Sequence, residues 1–134
     1  MADLIYVQEN GKLAFGDDTL AAKAKADGFE FGGDIYKVKT FREITKLERN
    51  GAFVYESVPG TNVTDFAGSD KEVSFTVSGT DETQVTLGLE PEKDFKLYID
   101  GTNIGRMKTN LGGKLVLSVS LAQGTSATVR VVKQ

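Results

Sequence analysis

Residues 40–51 read "TFREITKLERNG", and they set the class of the N-terminal half. Thr40 followed three positions later by Glu43 has the form of a capping box, in which each residue satisfies the other's orphan amide. Phe41, Ile44 and Leu47 recur at the spacing of one helical face, and Asn50-Gly51 offers a stop. The stretch predicts a helix. Upstream, "GDDTLAAKAKADG" supplies Asp17 or Asp18 as N-cap, an Ala/Lys body and Gly28 as terminator, which predicts a second, shorter helix.

Strand patterns surround these two segments. "LIYV" (4–7) and "KLAF" (12–15) flank Asn10-Gly11, a pair that tolerates positive φ and suits a hairpin. "FEFGGDIYKVKT" places two more strand patterns around Gly32-Gly33, and "AFVYESV" reads as a strand ended by Pro59-Gly60. The expected N-terminal unit, residues 1–65, is therefore a small α+β segment.

Beyond residue 72 the chain reads as strand and turn throughout. Val73, Phe75 and Val77 share one face, as do Val85, Leu87 and Leu89, and Phe95, Leu97 and Ile99. Leu115, Leu117, Val119 and Leu121, then Val129 and Val131, repeat the pattern among Ser, Thr, Lys and Arg. Residues 66–134 are expected to form an antiparallel β-sandwich or barrel-like half. The whole is thus read as α+β. The two segments are expected to share one core if an isolated piece of about 60 residues is too marginal to stand alone.

The composition narrows the chemistry. A chain of 134 residues with 40% hydrophobic and 26% charged residues is that of a globular protein. It contains no His and no Cys, which removes imidazole or thiolate zinc sites and every Ser-His or Cys-His nucleophile. Neither a Walker loop nor a dinucleotide fingerprint occurs. No cofactor and no metal are expected. A net charge of −3 makes nucleic acid an improbable partner, and no apolar run approaches the roughly 18 residues needed for membrane insertion. Without a basic, apolar leader at residue 1, the expected location is cytoplasmic or virion-associated.

Two constellations stand out as candidate sites. Lys37 and Lys39 share a strand face, while Arg42, Lys46 and Arg49 form an i, i+4, i+7 stripe on the expected helix. Together they offer a basic patch to an acidic partner; the plainer reading is the solvated back of an amphipathic helix, diluted by Glu43 and Glu48. On "DFKLYID", inward Phe95, Leu97 and Ile99 turn Lys96, Tyr98 and Asp100 outward. An exposed Tyr beside polar groups can stack on a sugar ring, although cross-strand packing is the commoner reason for a Tyr in a sheet. Asp100-Gly101 reads as a turn, since a calcium loop would need more carboxylates than this one. The acidic pairs Asp17-Asp18, Asp81-Glu82 and Glu90-Pro91-Glu92 all fall in caps or turns.

Tyr98, Asp100, Gly101 and Gly113, followed by Leu115, Leu117, Val119, Leu121, Val129 and Val131, carry a resemblance. Over residues 84–134 the chain resembles β-sandwich modules at the C-terminal ends of bacterial secreted polysaccharide-degrading enzymes. The resemblance implies a bacterial or phage-like module that packs, presents or binds, and it transfers no catalytic residue. The expected function is a non-enzymatic structural or interaction module of a bacterial or phage-type assembly, with protein as its partner. The alternatives are a carbohydrate-binding accessory module and, last, a carboxylate-based hydrolase.

Overall fold

A computed structural model describes residues 3–122 and 125–134. The N-terminal hairpin pairs β1 (Ile5–Val7) with β2 (Leu13–Phe15). A meander follows: β3 (Ala24–Phe31), β4 (Asp34–Phe41), β5 (Ile44–Arg49) and β6 (Ala52–Val58). Then come β7 (Asn62–Gly68), β8 (Glu72–Ser78), β9 (Thr83–Gly88), β10 (Asp94–Ile99), β11 (Thr102–Lys108), β12 (Lys114–Val119) and β13 (Ser126–Lys133). They form a seven-stranded sheet, β1-β2-β7-β8-β13-β10-β11, and a six-stranded sheet, β12-β9-β6-β5-β4-β3. All strand pairs are antiparallel. The molecule is an all-β sandwich.

The α+β expectation is therefore corrected: no helix occurs among the described residues. Thr40 is not an N-cap but a buried residue of β4, and Arg42-Glu43 form a two-residue turn into β5, with Phe41 paired to Ile44. Period two replaces period 3.6. Tyr36, Val38, Thr45 and Leu47 are buried, whereas Ile44 and Phe41 lie on the outer face. The other expected helix is a loop followed by β3, in which Ala24, Ala26, Phe29 and Phe31 are the half-buried positions. Gly28 is no terminator; it sits at φ 70° in a bulge between Ala26 and Phe29 that restores the alternation. Local propensity loses here to sheet pairing on both sides of β4.

The turn signals place the hairpins. Asn50 and Gly51 (φ 52° and 79°) join β5 to β6, and Asp100 and Gly101 (φ 52° and 81°) join β10 to β11. Both positions of each pair have the left-handed conformation that a two-residue hairpin demands. A boundary at residues 65 and 66 falls inside β7, and β7 pairs with β2 on one side and β8 on the other. Phe15, Tyr36, Leu47 and Val63 belong to the same buried cluster as Phe75, Leu87, Phe95 and Val129.

One end of this core is polar. Thr40, Thr45, Ser57 and Thr61 are all buried. The Thr40 and Thr45 hydroxyls lie 2.8 Å apart, Thr45 donates to the Thr61 carbonyl at 2.9 Å, and the Thr61 amide donates to Thr45 at 3.1 Å. The Thr61 hydroxyl meets Ser57 at 2.7 Å and Tyr55 at 2.8 Å. Burial pushes the Tyr55 phenol up to about 12, against the lowering effect of its bonds to Thr61 and Ser57.

Two outcomes follow from this packing. Leu47→Ala should cost about 2–5 kcal/mol, as deletions in a filled core do. Ile44→Ala should cost under about 1 kcal/mol, since its side chain lies on the wet face. Equal losses in urea denaturation would restore the helical stripe. Tyr55 supplies the second outcome. Its folded pKa is raised above the ordinary 10.0, so its contribution is intact below pH 10 and is lost as pH rises towards 12. A two-unit difference corresponds to roughly 3 kcal/mol. Stability measured across that window should fall in the wild type and stay flatter in Tyr55→Phe.

Candidate functional site

The alternation that buries Val38 and Leu47 turns their neighbours out together. Lys37 and Lys39 project from β4 and Lys46 from β5, on the outer face of the six-stranded sheet. Register completes a row across three strands: Lys25 of β3 is opposite Lys39, and Lys39 is opposite Lys46. Neighbouring strands lie about 4.8 Å apart, so three ammonium-bearing stems stand side by side. Lys37 faces Glu48, and Lys25, Lys37, Lys39, Lys46 and Glu48 line one shallow depression. Like charges directly opposite one another are destabilising. This row is not what stability alone would select.

The row continues into an aromatic patch. Gly88 of β9 leaves room for β6: a Cβ built there would lie 2.2 Å from the Phe53 carbonyl oxygen and 3.1 Å from its ring. Lys114 of edge strand β12 places its Nζ 4.7 Å from the Phe53 ring centroid, and Lys46 approaches the same ring at 5.9 Å. Lys23 similarly sits 5.9 Å from Phe41. Such contacts hold lysine stems along apolar surface while the charge stays in water. Val58 and Val116 add apolar surface to this face, 51% and 39% exposed. Glu48 and Glu56 are the carboxylates interleaved with the lysines, and Glu30 lies beyond them, opposite Ile35. Among the described residues the ion pairs are Arg130–Glu72 and Lys133–Glu90; none involves these lysines.

The five residues of the sequence-derived patch thus divide. Lys37, Lys39 and Lys46 come together. Arg42 occupies the exposed turn between β4 and β5. Arg49 has the inward phase: it lines a crevice with Val54, Phe66 and Leu87, and its Nη1 lies 3.5 Å from the Gly68 carbonyl oxygen. Lys25, Lys114 and Phe53 join the face without having been singled out. The alternation in "KAKAD" carried a signal for Lys25; nothing in linear spacing ties Lys114 to Lys46.

The second constellation also divides. Lys96 and Tyr98 point outward from β10, but the Arg130 guanidinium stands 5.5 Å from the Tyr98 centroid. Asp100 is committed to its corner, accepting the Thr128 amide on Oδ1 at 2.9 Å and donating its own amide to Thr128 at 2.8 Å. Asp17 accepts from the Thr19 amide and Asp81 from the Glu82 amide, while Glu90 pairs with Lys133 at 2.9 Å. No group of three or more potential metal ligands occurs among the described residues. Comparison with family models, with curated proteins and with solved structures gives no match.

The cross-strand row has a measurable signature. Lys39→Glu would set a carboxylate between Lys25 and Lys46, turning two repulsions into two attractions. Stability should rise, by about 0.5 kcal/mol at low ionic strength. The gain should shrink as salt is added. Parallel urea titrations of wild type and Lys39→Glu in low and high salt check this; an unchanged or lowered midpoint refutes the repulsive row.

Proposed function

We propose that this protein is a non-enzymatic interaction module of a larger assembly, docking an acidic protein surface on the outer face of its six-stranded sheet. The observation that supports this reading is the row Lys25–Lys39–Lys46, lysine opposite lysine, in a chain whose net charge is −3. A sheet face that only needed water could have alternated its charges, as opposite-charge pairs are favourable across strands. Self-repelling cations gain from a partner that supplies the missing anions, which also steers the encounter. Phe53, Val58 and Val116 provide the apolar element that protein interfaces carry at their centres. Glu48 and Glu56, set among the lysines, would repel a phosphate backbone but suit a protein surface with scattered cations of its own.

Retention on immobilised polyglutamate tests the reading. Wild type should bind at low salt despite its net negative charge and elute as the Debye length falls to roughly 10 Å, near 0.1 M. The triple variant Lys25→Gln/Lys39→Gln/Lys46→Gln should pass through. Lys12→Gln/Lys93→Gln/Lys108→Gln makes the same change in net charge away from this face and should bind like wild type. Equal behaviour of the two triple variants, or no retention of wild type, overturns the proposal. Stronger retention on immobilised duplex DNA than on polyglutamate would replace the protein partner by nucleic acid.

A further inference from the structure

Beside the polar end of the core, at the rim of the seven-stranded sheet, lies an open, shallow cleft. The loop after β2 brings Asp18 there, β7 begins there with Asn62, and β8 ends there with Ser78 before Gly79 and Thr80. Ser126, the first residue of β13, closes it. Asn62, Ser78 and Ser126 are register partners on three adjacent strands, so their side chains stand abreast. Every one of these side chains is polar, and Asp18 is the only charged one.

The cleft is pre-organised. Asn62 donates from Nδ2 to Asp18 Oδ1 at 2.9 Å, and the Asp18 amide donates back to Asn62 Oδ1 at 3.1 Å. This reciprocal pair fixes both side chains and leaves Asp18 Oδ2 without a hydrogen bond among the described residues. The preceding amide, of Asp17, donates to Thr40 at 2.9 Å, which ties the loop to the buried hydroxyl chain. Ser78, Thr80 and Ser126 spend their hydroxyls on no other described residue. At Gly79 an added Cβ would lie 3.8 Å from Asp18 Oδ2 and 3.5 Å from Thr61 Cγ2. Gly79 is not among the residues with positive φ, so the backbone does not demand glycine there. The same Cβ would meet Leu121 Cδ1 first, at 3.4 Å, so a methyl fits there in ordinary contact and takes up space beside the carboxylate.

We propose that this cleft binds a neutral polyhydroxyl ligand, a monosaccharide unit presenting a vicinal diol. A carboxylate oxygen accepts from hydroxyls through charge-assisted bonds. Serine and threonine hydroxyls both donate and accept, and so match either end of a sugar hydroxyl. Among the described residues no cation lines the cleft to attract an anionic ligand, and one carboxylate is too little for calcium, which takes six to eight oxygens. With no aromatic platform among the described lining residues, affinity rests on hydrogen bonds and lies in the millimolar range. This site is separate from the lysine face, so neither proposal depends on the other.

Amide NMR titration with glucose, galactose and mannose, each taken to about 100 mM, roughly a hundred times a 1 mM Kd, reads the site directly. At least one sugar should give saturable shifts centred on Asp18, Asn62, Gly79, Thr80 and Ser126. Asp18→Asn keeps an oxygen for Asn62 but loses the charge, and should weaken binding about tenfold. Gly79→Ala fills the space and should weaken it as well; a preserved spectrum elsewhere shows that each variant is folded. The proposal is overturned by the absence of saturable shifts with all three sugars, or by shifts that both substitutions leave intact. It also fails if 2-propanol, which has no diol, reproduces the same pattern, or if calcium chloride shifts these resonances and the sugars do not.

Discussion

Tyr55 projects from β6 into the aromatic cluster of the opposite sheet, its ring edge-on to Phe15 at 5.2 Å and to Phe75 at 5.5 Å. Phe66 extends the cluster by contacts to both of those rings. The same residue ends in a hydroxyl 2.8 Å from Thr61. The ring therefore glues sheet to sheet, while the phenol fastens the polar end of the core. Edge-on aromatic pairs add to the area they bury, and a buried phenol is tolerable only with a partner. Thr61 serves that role and passes the constraint on through Thr45 and Thr40 to the amide of Asp17. The loop bearing Asp18 is placed by what Tyr55 requires.

With both inner faces consumed by the core, the outer faces are free to differ. That of the six-stranded sheet is basic and partly aromatic; the middle of the seven-stranded sheet sets Thr64, Thr76 and Thr128 side by side. The difference costs the fold little, because an exposed strand position constrains residue type weakly. It is the interior side of each strand that fixes register: a slip of one residue in β4 would bury Lys37 and Lys39 and expose Tyr36 and Val38. The lysine row is thus aligned by the core behind it.

How much of this was legible depends on the range of the interaction. Asn10-Gly11, Gly32-Gly33 and Asp100-Gly101 each announce a turn through backbone freedom that is local to the pair, and each joins two strands. The C-terminal alternation was equally plain, since Phe75, Leu87, Leu97 and Leu117 are all buried. Thr40 and Glu43 misled because a capping box is also a local pattern, and nothing in residues 40–51 reveals that β5 turns back to pair with β4. Asn50-Gly51, read as a helix stop, is the same hairpin signal as Asp100-Gly101. Of the basic patch, Lys37 and Lys39, carried by strand alternation, hold together; of the helical stripe only Lys46 joins them, and it does so through cross-strand register. Lys114 and Phe53 meet only through β9 between them, a neighbourhood that sheet topology creates and sequence spacing does not contain.

The sheet edges bear on how such a module meets other molecules. β1 offers only three residues, β3 carries a bulge, and β11 combines a bulge opposite Leu97 and Tyr98 with Arg106 and Lys108. Short length, bulges and charge are the ways in which edge strands avoid pairing with other chains. β12 lacks a bulge and exposes Val116, so it is the edge with the least of these defences, though Lys114 stands at its start. The lysine that guards this edge also covers the Phe53 ring. A partner seated on the lysine face therefore adjoins the one regular edge of the sheet, and binding there would close off the strand most open to pairing with another copy.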